Sequence, residues 1–154
     1  MDREKRAREN FCAGLNCGQS VFMAFADLTG LTYEQAMKLS APFGGGMGRM
    51  REVCGAVSAS MMVLGLLFYD AAHPTNEEKS ALYAREQEVA SRFRAAFGTI
   101  ICRELLEGTG ADDAPQAEER TAEYYAKRPC AALGAGAAKI LQEYLAEEVV
   151  LPAG

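Results

Sequence analysis

The sequence has no C-x-x-C pair, only one histidine, no basic stripe and no apolar run of the ~20 residues that a membrane span needs. Each absence closes off a class of function. Without paired C-x-x-C motifs, zinc ribbons and ferredoxin-type clusters are excluded as spacing patterns. A net charge of −5 with no basic stripe excludes nucleic acid as a partner. The lone histidine, His73, precedes Pro74 in a turn beyond the far end of the most apolar stretch, which argues against a Cys–His catalytic pair with Cys54. No strand-like alternation, internal repeat or low-complexity tract occurs, so the expected fold class is all-α. The segment Met1–Asn10 is charged and lacks the apolar core of a secretory signal. The expectation is therefore a cytoplasmic protein with reduced thiols and no membrane insertion.

What is present centres on residues 43–70. A glycine loop, Phe43-Gly-Gly-Gly-Met-Gly, runs through Arg49 and Arg51 to Cys54 and then into the uncharged stretch Val53–Tyr69. A helix apolar on every side is expected to be buried on every side. The expected architecture is one helical domain over residues 1–154, a bundle around a buried central helix at about 53–70. At 154 residues the chain is long enough to build a core without disulfide staples.

Other helices can be read from their caps. The chain begins with a polar helix over 2–10, interrupted at Ala13–Asn16. Asn16 caps a helix carrying Val21, Phe22, Phe25 and Leu28, stopped at Gly30. Thr32 with Gln35 opens a second, which ends near Ser40 before Pro42. A long amphipathic helix is expected over 77–97. Thr99 is placed to cap a short helix holding Cys102, Leu105 and Leu106. A surface loop at 108–115 precedes a helix over 116–127, and Pro129 opens a last helix reaching about Glu148. The tail 151–154 is expected to fray.

Five cysteines, Cys12, Cys17, Cys54, Cys102 and Cys130, are an odd number, which argues against a disulfide framework. Four of them fall in or beside the expected first turn of a helix. Exposed N–H groups and the helix dipole there favour a thiolate, which is both nucleophile and metal ligand. Their separations of 37, 48 and 28 residues are long, so the sequence leaves open metal binding, thiol redox chemistry and plain burial. The glycines Gly44, Gly45 and Gly46, with Met47 and Gly55, are the candidates for approaching a bound group through backbone N–H donors. Arg49, Arg51 and Arg103 are read as solvated, the acidic run 112–119 as a solvated face, and the methionines as core filling.

Asn16-Cys17, Phe43-Gly-Gly-Gly-Met47, Cys54-Gly-Ala56, Gly98-Thr-Ile-Ile-Cys102-Arg-Glu-Leu-Leu106 and Cys130 occur in this order. Together, across roughly residues 17–141, they resemble the C_GCAxxG_C_C family of redox-active proteins. The resemblance implies that the family's four cysteines are Cys17, Cys54, Cys102 and Cys130, with Cys12 the extra one. The chain departs from the pattern at Ala59, where the family has glycine, and at Gly18, where alanine is usual. The leading expectation is an iron–sulfur cluster or another thiophilic metal on those four cysteines for electron transfer, with structural zinc as the variant. The alternative is thiol–disulfide exchange by cysteine pairs with no cofactor. An interaction module with inert buried cysteines comes third. The redox partner is unknown and a homodimer is left open.

Overall fold

The computed structural model describes residues 1–148, 150 and 151. The expected fraying of the tail concerns residues that lie largely outside these. Asp2 accepts a hydrogen bond from the Lys5 N–H at 2.9 Å and opens α1, Arg3–Cys12. Asn16 and Gln19 form a capping box at the start of α2, Cys17–Ala24. A short α3, Ala26–Thr29, stops at Gly30. Thr32 and Gln35 cap α4, Tyr33–Ser40, reciprocally. A 3₁₀ turn at Ala41–Phe43 and the glycine loop lead into α5, Gly55–Phe68. Thr75 caps α6, Asn76–Phe97, and α7 is the single turn Cys102–Leu105. The chain ends with α8, Ala122–Lys127, and α9, Cys130–Glu147. Among the described residues there is no strand, and the fold is all-α. No helix among them is long and apolar enough to cross a membrane.

The bundle is assembled around α5. It packs against α2, α6 and α9, while α1 lies across α2 and α9. Gly55, Ala56, Ala59 and Ser60 give α5 a narrow face, and Ala137 and Ala138 do the same for α9, so backbones approach closely. Larger side chains fill the remaining space: Phe22 and Phe25 from the α2 segment, Val63 and Leu64 from α5, Phe93 from α6, and Leu141 and Leu145 from α9. The central helix is buried along its first half. Its second half is half-buried at Met61, Met62 and Phe68 and exposed at Leu66, because the neighbours cover only part of its circumference there.

The short helix at Cys102 starts from Ile101 and not from a Thr99 cap, because the Thr99 hydroxyl accepts the Ile101 N–H at 3.1 Å, and two further helices come out differently because of an arginine. The helix from Asn16 to Gly30 breaks at Phe25 (φ −119°, ψ 7°). The Arg3 guanidinium takes the Ala24 carbonyl at 2.8 Å, and the Leu28 N–H bonds instead to the Phe25 carbonyl at 2.9 Å. Arg3 is buried, forks onto Asp27 at 2.7 and 3.0 Å, and lies over the Phe25 ring. The helix expected over 116–127 begins only at Ala122, capped by Thr121. Residues 116–121 are held in irregular conformation because Glu118 and Arg120 are engaged elsewhere, as described below.

Leu141→Ala should destabilise the chain by about 2–5 kcal/mol in urea unfolding, because Leu141 is wholly buried between helices. Leu66→Ala, on the exposed part of α5, should change it by less than about 0.5 kcal/mol. Equal losses would place Leu66 in the core and contradict the packing.

Candidate functional site: a cavity lined by four cysteines

Four of the five cysteines stand at helix starts. Cys17, Cys102 and Cys130 are the first residues of α2, α7 and α9, and Cys54 is the N-cap of α5. All four line one cavity of about 300 Å³. Cys54 and Cys102 are buried and Cys17 and Cys130 half-buried, whereas Cys12, at the end of α1, is exposed and elsewhere.

Local backbone contacts bring these distant positions together. Val53 and Ile101 form an isolated antiparallel bridge. Beside it the Cys54 N–H donates to the Ile100 carbonyl at 2.8 Å and the Cys102 N–H to the Glu52 carbonyl at 2.6 Å. Cys17 meets α5 at Gly55, where a Cβ would fall 2.6 Å from the Cys17 sulfur. Gly46 sits against Cys102 in the same way, with space for no Cβ beyond 2.6 Å from that of Cys102. Gly44, Gly45, Gly48 and Gly55 line the cavity; Gly46 backs Cys102, and Met47 points away and is exposed. The sequence departure at Ala59 lies in the apolar core of α5, away from the cavity wall. Gly18 lies under Ser40 and Phe43, where an added methyl would sit 3.0 Å from the Ser40 carbonyl oxygen.

The glycine loop has an unusual conformation. Gly45 to Arg49 all have φ between +57° and +69°, and Arg51 follows at +62°. Met47, Arg49 and Arg51 carry side chains, and a left-handed backbone costs such residues about 1–2 kcal/mol each. The turn is closed by hydrogen bonds from the Arg51 N–H to the Gly45 carbonyl at 3.1 Å and from the Glu52 N–H to the Gly46 carbonyl at 2.9 Å. Its effect is to send Arg49 and Arg51 inward to the cavity wall while Met47 and Met50 face solvent.

Arg51 is buried and not, as the sequence suggested, solvated. Its guanidinium donates to the Cys102 sulfur at 3.7 Å and, through Nε, to the Asp112 carbonyl at 2.8 Å. Arg49 donates to the Ala114 and Gln116 carbonyls and to Glu118 at 2.9 Å. Arg128, also buried, grips the same Glu118 oxygen. Arg120 caps the end of α1 through the Phe11 and Leu15 carbonyls, both at 3.1 Å, and lies over the Phe11 ring. The acidic side chains of the run 112–119 are exposed, as expected, and what the sequence did not show is that the run is also a strap pinned over the cavity by arginines. Arg103 remains on the exposed side, donating to the Met50 carbonyl, and His73 is exposed and paired with Asp70, outside the cavity.

Helix starts favour thiolates, but here burial acts more strongly. Loss of water pushes the Cys54 thiol up, with Cys17 and Cys102 adding repulsion, against opposition from the Ala56 and Val57 N–H groups. Burial pushes Cys130 up to about 12, again with Cys17 and Cys102 contributing. Burial also raises Cys102, against the lowering effect of the Arg51 hydrogen bond. These three groups are therefore neutral thiols at pH 7 when no cation is bound. Among the described residues no three His, Cys, Asp or Glu side chains are disposed to hold a single metal ion.

An all-α bundle whose helix starts converge on a thiol-lined cavity is the class of protein that fold and site define. The chain belongs to the C_GCAxxG_C_C family: the family model described as "Putative redox-active protein (C_GCAxxG_C_C)" matches residues 15–144. No match was found among curated proteins or among solved structures.

Two outcomes follow from this geometry. The raised Cys130 thiol contributes stability that is complete below the ordinary value of 9.0 and is lost as pH climbs toward about 12. Reduced, metal-free protein should therefore lose urea resistance steadily above pH 9, and Cys130→Ala should flatten that loss; identical slopes would show that Cys130 ionises freely in the fold. Met47→Gly should stabilise by up to about 1 kcal/mol, since the left-handed penalty exceeds glycine's entropic cost. A clear loss of stability would mean that the Met47 side chain holds the loop.

Proposed function

We propose that the cavity is a redox centre in which Cys17, Cys54, Cys102 and Cys130 hold an iron–sulfur cluster or another thiophilic metal group that exchanges single electrons with a partner. The observation that carries this reading is the convergence of four helix-start cysteines on one cavity while the fifth is left outside. The donor set suits such a group, being four sulfurs with no histidine among the lining residues. A tetrahedral zinc would need all its sulfurs closed to about 2.3 Å from one point. Among the described residues no three His, Cys, Asp or Glu side chains are disposed to hold a single ion, and the reading rests on the shared cavity and its four sulfur donors.

The surrounding residues support the same reading. When such a group is bound it supplies the electron-accepting and electron-donating orbitals, and the chain supplies charge, shape and exclusion of water. Loading converts thiols to thiolates and releases protons. The Arg51 N–H on the Cys102 sulfur and the guanidinium of Arg128 near Cys130 offset the negative charge that appears. Gly46 and Gly55 keep Cβ atoms out of the approach to Cys102 and Cys17. Raised thiols are poor nucleophiles at neutral pH, which counts against simple thiol–disulfide exchange at Cys54 and Cys130.

Anaerobic purification with iron and acid-labile sulfide analysis tests the proposal. Wild-type protein and Cys12→Ser should carry both with visible absorption, and Cys54→Ser should lose them. Metal-free protein in which mild oxidation removes two thiols would overturn the reading in favour of thiol–disulfide chemistry.

A further inference from the structure

The arginines on the cavity wall divide by what they hold. Arg51 is committed to the Cys102 sulfur and the Asp112 carbonyl, and Arg120 to the end of α1. Arg49 holds the Ala114 and Gln116 carbonyls through one terminal nitrogen, while its other one, 3.5 Å from the Asp112 carboxylate, converges with Arg128 on a single oxygen, Oε1 of Glu118. Their own side chains are largely buried, 15% and 6% exposed, while the Glu118 side chain is 36% exposed. A surface carboxylate thus reaches inward to satisfy two guanidinium groups that the fold has fixed in place. Four guanidinium groups and one carboxylate line the cavity, which makes it electropositive. The wall also carries the apolar and aromatic residues Pro115, Ala117, Leu106, Tyr124 and Leu133. Tyr124 is stacked on Phe11 with ring centroids 6.4 Å apart, and Arg128 lies over its face at 5.2 Å.

We infer that Glu118 occupies the place of an external ligand, and that the cavity takes a small organic carboxylate whose carboxyl group replaces Glu118 on Arg49 and Arg128. A carboxylate can accept one N–H from Nη2 of Arg49 and one from Nη2 of Arg128, the two donors that Glu118 now uses. The apolar wall favours a carbon body on that anion over a bare inorganic ion. A cavity of about 300 Å³ is the size of a small-molecule site. Bound this way, the ligand's body extends from the Glu118 side toward the cysteines that line the same cavity. Displacing Glu118 also removes one of the ties on the 112–119 strap, so entry of the ligand and loosening of the strap are one event. The inference rests on reading this cavity as the redox site, and it names the chemistry of what that site receives.

Calorimetric titration of the metal-free full-length protein separates the two readings, since it needs no bound metal group. Benzoate is the probe, with benzamide as its neutral counterpart and inorganic phosphate as an anion without a carbon body. Benzoate should bind at least about tenfold tighter than either. Glu118→Gln should tighten benzoate by about tenfold, because an uncharged amide competes less well for the guanidinium pair, and a damaged fold would not produce a gain. Arg128→Met should abolish the preference for benzoate over benzamide. Equal binding of benzoate and benzamide, an unchanged affinity in Glu118→Gln, or phosphate binding as tightly as benzoate would each overturn the inference.

Discussion

The site depends on one small piece of backbone pairing. Two N–H groups, those of Cys54 and Cys102, donate across the Val53–Ile101 bridge to the carbonyls of Ile100 and Glu52. The paired segments are 48 positions apart, and each leads directly into a helix whose first turn presents a cysteine. The bridge, with the Arg103 N–H bond to the Arg51 carbonyl and the Arg51–Cys102 contact beside it, keeps the start of α5 next to the single turn of α7, which is too short to hold itself by helix packing. Cys17 then joins through its contact with Gly55, and Cys130 is brought in by α9 as it packs on α1, α2 and α5. The bundle supplies the frame, while the bridge and the glycines set the spacing between the sulfurs.

Two opposing effects meet at the cavity. Helix starts attract negative charge, yet removal of water and mutual repulsion keep buried thiols protonated. The arginines shift that balance only locally, most directly where Arg51 touches Cys102. The result is a cavity in which burial keeps Cys54, Cys102 and Cys130 as neutral thiols beside the guanidinium groups of the wall. The left-handed glycine loop serves this arrangement, since its backbone turns Arg49 and Arg51 inward within a few residues of Cys54. Side-chain-bearing residues hold an unfavourable backbone here because the loop's hydrogen bonds and the arginine contacts over-determine it.

Much of the fold could be read from local chemistry. Asn16, and Thr32 with Gln35, cap their helices as the sequence indicates, and Gly30 and Gly98 stop theirs. Asn16 places Cys17 at a helix start, the apolar stretch does so for Cys54 and Pro129 for Cys130, whereas Cys102 starts its turn without the expected Thr99 cap and the separate position of Cys12 is implied only by the family resemblance. What could not be read were contacts made by long side chains to remote backbone. Nothing near Phe25 announces that Arg3 will take the Ala24 carbonyl and break the helix. Nor does 112–119 reveal that its carbonyls will be gathered by Arg49 and Arg51, more than sixty positions earlier. An arginine beside glycines looks solvated in sequence; its burial depends on the tertiary path of a loop with no regular period. The bridge at Val53 is equally silent, being one residue pair with no alternation to betray it.

The claim that most needs direct measurement is the meeting of the four sulfurs. A trivalent arsenical such as phenylarsine oxide links two thiols that lie close together, and peptide mapping after digestion shows which two. In the reduced, metal-free protein the arsenic should join peptides carrying two of Cys17, Cys54, Cys102 and Cys130, leaving Cys12 free for alkylation. Arsenic bound through Cys12, or no joined peptides despite accessible thiols in the denatured control, would contradict the convergence on which the account is built.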